Sequence, residues 1–203
     1  MTARVNNPKI KIKAEFVKPV FEYSQIPKTG FPEIVFSGKS NVGKSSAINE
    51  LANKPKLAKT SSTPGRTQSI NYFLLNGSYY FVDLPGYGYA KVPAQVKKKW
   101  NLLLDKYLNT NKNIKLIVQL IDFRNMPGEN DLTMIEWLKN LNKNFIIILT
   151  KCDKIGKTLR KKQIRKFSEL LDIPAEKFIL FSIKEKTGIK ELWEKIIKAL
   201  NSD

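Results

Sequence analysis

The stretch Gly38-Lys39-Ser40-Asn41-Val42-Gly43-Lys44-Ser45 decides how the rest of the chain is read. It matches the pattern G-x-x-x-x-G-K-[ST]. An apolar run, Ile34–Phe36, precedes it, and a helical pattern over Lys44–Asn53 follows. Strand, glycine loop and helix in that order are the setting in which this pattern grips phosphate. The glycines let the backbone curl so that successive N–H groups converge on phosphate oxygens, and the helix N-terminus adds positive potential. Lys44 is placed to reach the β- and γ-phosphates as a point charge, and the Ser45 hydroxyl to ligate Mg²⁺.

Downstream, Asp83-Leu84-Pro85-Gly86 closes the apolar run Tyr79–Val82. A carboxylate at that strand end can hold Mg²⁺ through a water, and the Gly86 amide can turn to a γ-phosphate, as a nucleotide switch requires. Thr150-Lys151-Cys152-Asp153 follows the run Phe145–Leu149 and has the form of a guanine-selecting tetrapeptide with Thr in place of Asn. The Asp153 carboxylate can accept from guanine N1–H and the 2-amino group together. Adenine lacks that amino group and its N1 is an acceptor, so a carboxylate facing it is left unpaired at a cost of several kcal/mol, on the order of about 3. The Lys151 stem is expected to lie on the base plane. Ser182-Ile183-Lys184, one helix and one strand later, resembles the S-A-[KL] loop whose backbone meets guanine O6.

Between the glycine loop and Asp83 runs Ser61-Ser62-Thr63-Pro64-Gly65-Arg66-Thr67-Gln68, followed by Ser69. It is polar and turn-rich. One threonine here should complete the Mg²⁺ shell when a γ-phosphate is present; Thr67, just before the strand from Ile70, is preferred and Thr63 is the alternative. Gly65, Arg66, Thr67, Gln68 and Ser69 are assigned to the nucleotide site. Five elements in this order, each at the carboxyl end of a strand, predict a GTPase domain, since ligands gather at that edge in open α/β sheets.

Strand and helix patterns alternate from Glu33 onward. The apolar runs Ile34–Phe36, Lys115–Ile121, Phe145–Leu149 and Phe178–Phe181 predict parallel core strands, and Ile70–Leu75 and Tyr79–Val82 flank the hairpin dipeptide Asn76-Gly77. Helices are expected over 94–108, 131–141, 159–171 and 188–200. In the last, Ile189, Leu192, Trp193, Ile196, Ile197 and Leu200 fall at helical spacing and read as a core-facing stripe. The predicted class is α/β, a P-loop NTPase with a Ras-like G domain: a mostly parallel six-stranded sheet, one antiparallel edge strand, helices on both faces. Residues 1–32 read as a basic segment with one extra irregular strand near 14–22, and residues 33–203 as the GTP-binding domain.

Composition narrows the chemistry. The 203 residues suffice for one full-sized domain, and 42% hydrophobic with 27% charged residues is a globular balance. There is no histidine, which excludes histidine-based zinc sites and His-dependent catalysis, and the single cysteine excludes an internal disulfide. The longest apolar run is far short of the roughly 18 residues of a membrane span, and the N-terminus lacks a secretory apolar core, so a cytoplasmic protein without stable membrane association is expected. Thirty-six Lys and Arg against 18 Asp and Glu leave a net charge of +18, which favours anionic partners such as nucleic acid.

Pro64-Gly65-Arg66-Thr67-Gln68, the run Asp83-Leu84-Pro85-Gly86-Tyr87-Gly88-Tyr89-Ala90-Lys91-Val92, and Leu120-Ile121-Asp122-Phe123-Arg124 with Asp131 and Trp137-Leu138 downstream carry a closer likeness. With them the chain, from about Phe16 to Leu200, resembles the EngB (YihA/YsxC) family of bacterial GTPases, in the TrmE-Era-EngA-EngB-septin-like class. The resemblance implies GTP and GDP as ligands and Mg²⁺ held by Ser45, Thr67 and Asp83. It further implies a monomer that helps assemble the large ribosomal subunit from its rRNA and proteins, and normal cell division and septation. The alternative is a regulatory GTP switch of the division apparatus with protein partners and no RNA.

Tyr87 stands where many small GTPases place the glutamine that orients water, and a phenol cannot mimic that amide. Slow intrinsic hydrolysis follows, on the order of 10⁻⁴–10⁻³ s⁻¹. Lys44, Thr67, Gly86 and Asn41 are the expected catalytic residues. Asn41 occupies the loop position that in related GTPases helps to bind a charge-stabilising K⁺. Two basic clusters, Lys97-Lys98-Lys99 and Lys157, Arg160, Lys161, Lys162, Arg165, Lys166, are candidate RNA contacts.

Overall fold

A computed structural model of the chain describes residues 12–59, 69–88 and 94–202. Its strands are β1 (Ala14–Val20), β2 (Glu33–Gly38), β3 (Ile70–Leu75), β4 (Tyr79–Asp83), β5 (Ile114–Asp122), β6 (Phe145–Thr150) and β7 (Phe178–Phe181). Its helices are α1 (Lys44–Leu51), α2 (Ala94–Thr110), α3 (Glu129–Asn140), α4 (Lys157–Leu171) and α5 (Ile189–Leu200). One sheet holds all the strands in the order β1-β3-β4-β2-β5-β6-β7. From β4 to β7 the neighbours are parallel, and β3 runs antiparallel to both β4 and β1.

The α/β class, the mostly parallel sheet and the helices on both faces are as the sequence predicts. The expected count of six strands is exceeded. The segment before residue 33 contributes β1, which pairs with β3 from Ala14↔Leu75 to Val20↔Ile70 and makes a seventh strand. The antiparallel strand β3 is therefore not the outermost one. Its outer row of N–H and C=O groups would otherwise stand unpaired, a liability that β1 removes. The β3–β4 turn is the one Asn76-Gly77 predicts: both residues have positive φ, 50° and 66°. Asn76 also fastens the entry to β1, accepting from Lys13 N through its side-chain oxygen at 3.0 Å.

Alternation along the strands sorts the core into two layers. Val35, Val82, Ile117, Ile121, Ile147 and Leu149 face α2, α3 and α4, which contribute Tyr107, Leu108, Ile135, Leu138, Phe167 and Leu171. Ile34, Phe36, Phe81, Val118, Leu120 and Ile148 face α1 and α5, which contribute Ala47, Ile48, Leu51, Leu192 and Ile196. The α5 stripe packs on the sheet as expected, except that Ile197 is displaced to the solvent-facing margin and left 42% exposed.

One charged residue is sealed into the first layer. Glu33 opens β2 and is 1% exposed. Its Oε2 accepts from Tyr107 Oη at 2.5 Å, Asn111 Nδ2 at 3.1 Å and Tyr72 Oη at 3.3 Å. Burial raises its pKa, and the three donors offset that rise only in part.

Candidate functional site

At the far end of β2 the chain turns into the glycine loop. A Cβ on Gly38 would lie 2.8 Å from Val42 Cγ1 and 3.1 Å from Leu120 O, so close approach to β5 demands glycine here. The loop is wound by left-handed residues, Asn41 at φ 65° and Gly43 at φ 106°, and α1 starts at once with Ala47 N donating to Gly43 O at 2.9 Å. Lys39 and Asn41 are exposed on the loop, Ser40 is half-buried, and Val42 is buried. Lys44 Nζ forms an ion pair with Asp83 Oδ1, both side chains being nearly buried. Asp83 stands at the end of β4, beside Phe36 of β2.

Ser45, half-buried in the first turn of α1, follows Lys44 directly. A carboxylate and a hydroxyl are hard oxygen donors, the kind Mg²⁺ takes together with phosphate and water oxygens. Among the described residues no three His, Cys, Asp or Glu side chains gather. The donor set of Ser45 and Asp83 therefore fits an ion that is shared with a nucleotide.

The segment after Asp83 is fastened to the loop. Leu84 N donates to Phe36 O at 3.0 Å, Pro85 is buried, and Ser40 N donates to Tyr87 O at 3.1 Å. A Cβ on Gly86 would sit 2.9 Å from Ser40 Oγ and 3.1 Å from Ser40 N. The Tyr87 hydroxyl turns away from the loop and donates to Asp131 Oδ1 at 2.8 Å, while accepting from Gln119 Nε2 at 2.7 Å. Burial and the Asp131 charge push this phenol's pKa well up, so it stays protonated. Gly65, Arg66, Thr67 and Gln68, the alternative Thr63, and Tyr89 to Val92 lie outside the described residues. Ser69 is buried, and its hydroxyl donates to Asn71 Oδ1 at 3.1 Å.

Residues 150–153, the tetrapeptide expected to meet the base, close the other side. Thr150 Oγ1 donates to Val42 O at 2.8 Å and Ile121 O at 3.2 Å, tying the end of β6 to the glycine loop. Lys151 is left-handed at φ 59°, and its Nζ donates to Asn41 O at 3.0 Å and Asp122 Oδ2 at 2.9 Å. Its stem is thereby stretched across the site. Burial alone would raise the pKa of Asp122, but the Arg124 fork and Lys151 hold it down to about 2. Cys152 is buried, which pushes its thiol pKa up and argues against reactivity.

Asp153 Oδ1 accepts from Ser182 Oγ at 2.8 Å, and Ser182 Oγ in turn accepts from Glu185 N at 3.1 Å. That hydroxyl, with smaller contributions from Lys154 and Lys184, lowers the Asp153 pKa and keeps it an acceptor. Ile183 is half-buried and Lys184 exposed on the same turn.

Two features were not anticipated. Ser182 acts through its side chain, by orienting Asp153, and Asp122 anchors Lys151. The signal for both was available as polar residues at the ends of buried apolar runs, Asp122 closing β5 and Ser182 following β7. In the second basic cluster Arg160 turns inward, donating to Ile155 O at 2.9 Å and pairing with Glu185 at 3.0 Å, so it leaves the exposed row of Lys157, Lys161, Lys162, Arg165 and Lys166.

The arrangement matches known proteins. Residues 33–151 match the family model of the 50S ribosome-binding GTPases. A "Probable GTP-binding protein EngB" of Caldanaerobacter subterraneus subsp. tengcongensis is 47% identical over 184 residues, covering 90% of this chain and 95% of that one. Its namesake from Clostridioides difficile is 43% identical over 194 residues, 95% and 96% of the two chains. Among solved structures, a crystal structure of a probable GTP-binding protein engB superposes with a TM-score of 0.68 at 25% identity, covering 83% of this chain and 98% of the other. Era in complex with MgGDPNP and nucleotides 1506–1542 of 16S ribosomal RNA shares the fold, with a TM-score of 0.68 at 23% identity over 85% of this chain and 58% of the other. On these likenesses, over nine-tenths of its length, the chain belongs to the EngB family of GTP-binding proteins and is a GTPase.

Proposed function

We propose that this GTPase is a nucleotide-gated assembly factor of the large ribosomal subunit, needed for normal cell division and septation. The carrying observation is the Asp153 carboxylate, held by Ser182 and flanked by a Lys151 stem tied to Asn41 O. That is the geometry that accepts guanine N1–H and the 2-amino group while the glycine loop takes the phosphates. Lys44 exchanges part of its contact with Asp83 for β- and γ-phosphate oxygens. Ser45, Asp83 and Thr67 would hold Mg²⁺, which neutralises charge on the phosphates when bound. Asn41, exposed at the crest of the loop, would offer its side-chain oxygen to K⁺.

With the γ-phosphate met by Thr67 and Gly86, the GTP form would dock on the pre-ribosome, and hydrolysis would release it. The family's description as 50S ribosome-binding and the net charge of +18 support that partner. So does the exposed basic row of α4, in which Lys161, Lys162, Arg165 and Lys166 make no ion pair among the described residues. Among those residues, too, no helix is long and apolar enough to cross a membrane. We read the protein as a cytoplasmic monomer.

Sucrose-gradient sedimentation with GTP-analogue and GDP forms tests the reading. Co-migration of the GTP form with large-subunit precursors, weakening steeply with salt, is expected. Salt-insensitive association, or sedimentation only with division proteins, overturns it. Exchange of KCl for NaCl at constant ionic strength should slow hydrolysis in the natural protein and leave Asn41→Ala unaffected. Equal rates throughout would remove the potassium role.

A further inference from the structure

Tyr87 is held at both of its ends. Its carbonyl accepts Ser40 N–H at 3.1 Å, and Lys39 and Tyr87 form an isolated parallel bridge. Gly86 before it is pressed against Ser40, where even a methyl group would collide. At the other end the hydroxyl is enclosed between β5 and the first turn of α3. Gln119 is fully buried, and Asp131 is 7% exposed.

The proton order in this chain is forced. An ionised Asp131 can only accept: Oδ1 from Tyr87 Oη at 2.8 Å and Oδ2 from Gly128 N at 3.1 Å. Tyr87 has one proton and gives it to Asp131, so Gln119 must donate to it, at 2.7 Å. The second amide proton of Gln119 goes to Leu120 O at 3.2 Å, which leaves Gln119 Oε1 as a buried acceptor with no partner among the described residues. An unsatisfied buried amide oxygen is costly, and packing alone would have been served by an apolar residue. The direction of this polar chain presents a donor to the phenol oxygen.

We propose that Tyr87 is a positioning residue for GTP: its hydroxyl, fixed between Gln119 and Asp131, holds Gly86 against the glycine loop with its amide already set for the γ-phosphate. This rests on the reading of the site as a guanine-nucleotide pocket. The residue that replaces the water-orienting glutamine therefore works in the opposite direction, pointing into the protein and acting on substrate only through Gly86. Since GDP has no γ-phosphate, the tie contributes to binding of the triphosphate and not of the diphosphate.

The test is the ratio of Kd for a non-hydrolysable GTP analogue and for GDP, with Mg²⁺, in the natural protein, Tyr87→Phe, Asp131→Ala and the double variant. Tyr87→Phe and Asp131→Ala should each weaken the analogue about 10-fold while GDP affinity stays the same, which also shows that each variant is folded. The double variant should be no worse than either single one, because both cut the same tie. Equal losses for analogue and GDP, no loss for either, or additive effects would each overturn the proposal. If the natural protein bound neither guanine nucleotide, the functional reading itself would fail.

Discussion

The two ends of the sheet use carboxylates in opposite ways. At the start of β2, Glu33 is sealed in, with three donors converging on one oxygen and 1% of the residue left exposed. At the strand ends opposite, Asp153 is held by one hydroxyl through one oxygen, its other oxygen meeting, among the described residues, only Lys154 at 4.0 Å. Glu33 has its pKa raised by burial, while that of Asp153 is lowered by its hydrogen bond. An acidic residue at one end of this sheet is thus a structural member with internal partners, while Asp153 at the other is oriented by one partner and is the group we propose for guanine.

The largest effect should come from the open end. Asp153→Asn should cost on the order of 10³-fold in GDP affinity and shift preference to xanthosine nucleotides, read by calorimetry with both bases. If guanine affinity survived, Asp153 would be no more a ligand group than Glu33 is. Next, Ser182→Ala should weaken GDP about 10-fold, by freeing a carboxylate that is otherwise preset. An unchanged affinity would mean that Asp153 needs no orienting partner.

At the closed end, Glu33→Gln should stabilise the protein at neutral pH by about 1 kcal/mol, a rise in Tm of roughly 2–4 °C. The glutamine oxygen can still accept, and no charge is buried. Because the folded pKa of Glu33 is raised, its favourable contribution is complete below the ordinary value of 4.5 and is lost as pH rises through the folded value. The Tm gap between variant and natural protein should therefore widen with rising pH, and a gap that narrows refutes the burial argument. Asp122 has the opposite sign. Its stabilisation is present above the ordinary 3.8 and disappears only as pH falls through about 2, so an NMR titration of its carboxyl should show no protonation near pH 4.

Much of the site was legible because its parts are contiguous and sit on strand ends: the glycine loop, Asp83, Thr150 to Asp153, and Ser182. The hairpin at Asn76-Gly77 was equally plain, since its backbone demand is local. What escaped depends on partners far apart in the chain. Tyr87 meets residues 32 and 44 positions away, and Glu33 meets residues 39, 74 and 78 positions away. Such contacts follow from strand register and helix docking, which no local pattern encodes. The extra strand near 14–22 was expected, but not its place in the sheet: an irregular run, interrupted by Pro19 and by a register shift between Phe16 and Lys18, reveals its pairing only when β3 lies beside it.

That seventh strand also restricts how a nucleotide signal can spread. A hairpin at the rim of a sheet can shuttle lengthwise by two residues, keeping its faces while moving its tip. Here β1 is paired with β3 from end to end save for the irregularity at Val17, and Asn76 at the hairpin tip exchanges hydrogen bonds of 2.8 and 3.0 Å with Lys13. Such a slide would have to break this ladder at about 1 kcal/mol per bond, with no other edge at hand to receive it. The β3–β4 hairpin is thereby braced against lengthwise slippage from its outer side as well as its inner one.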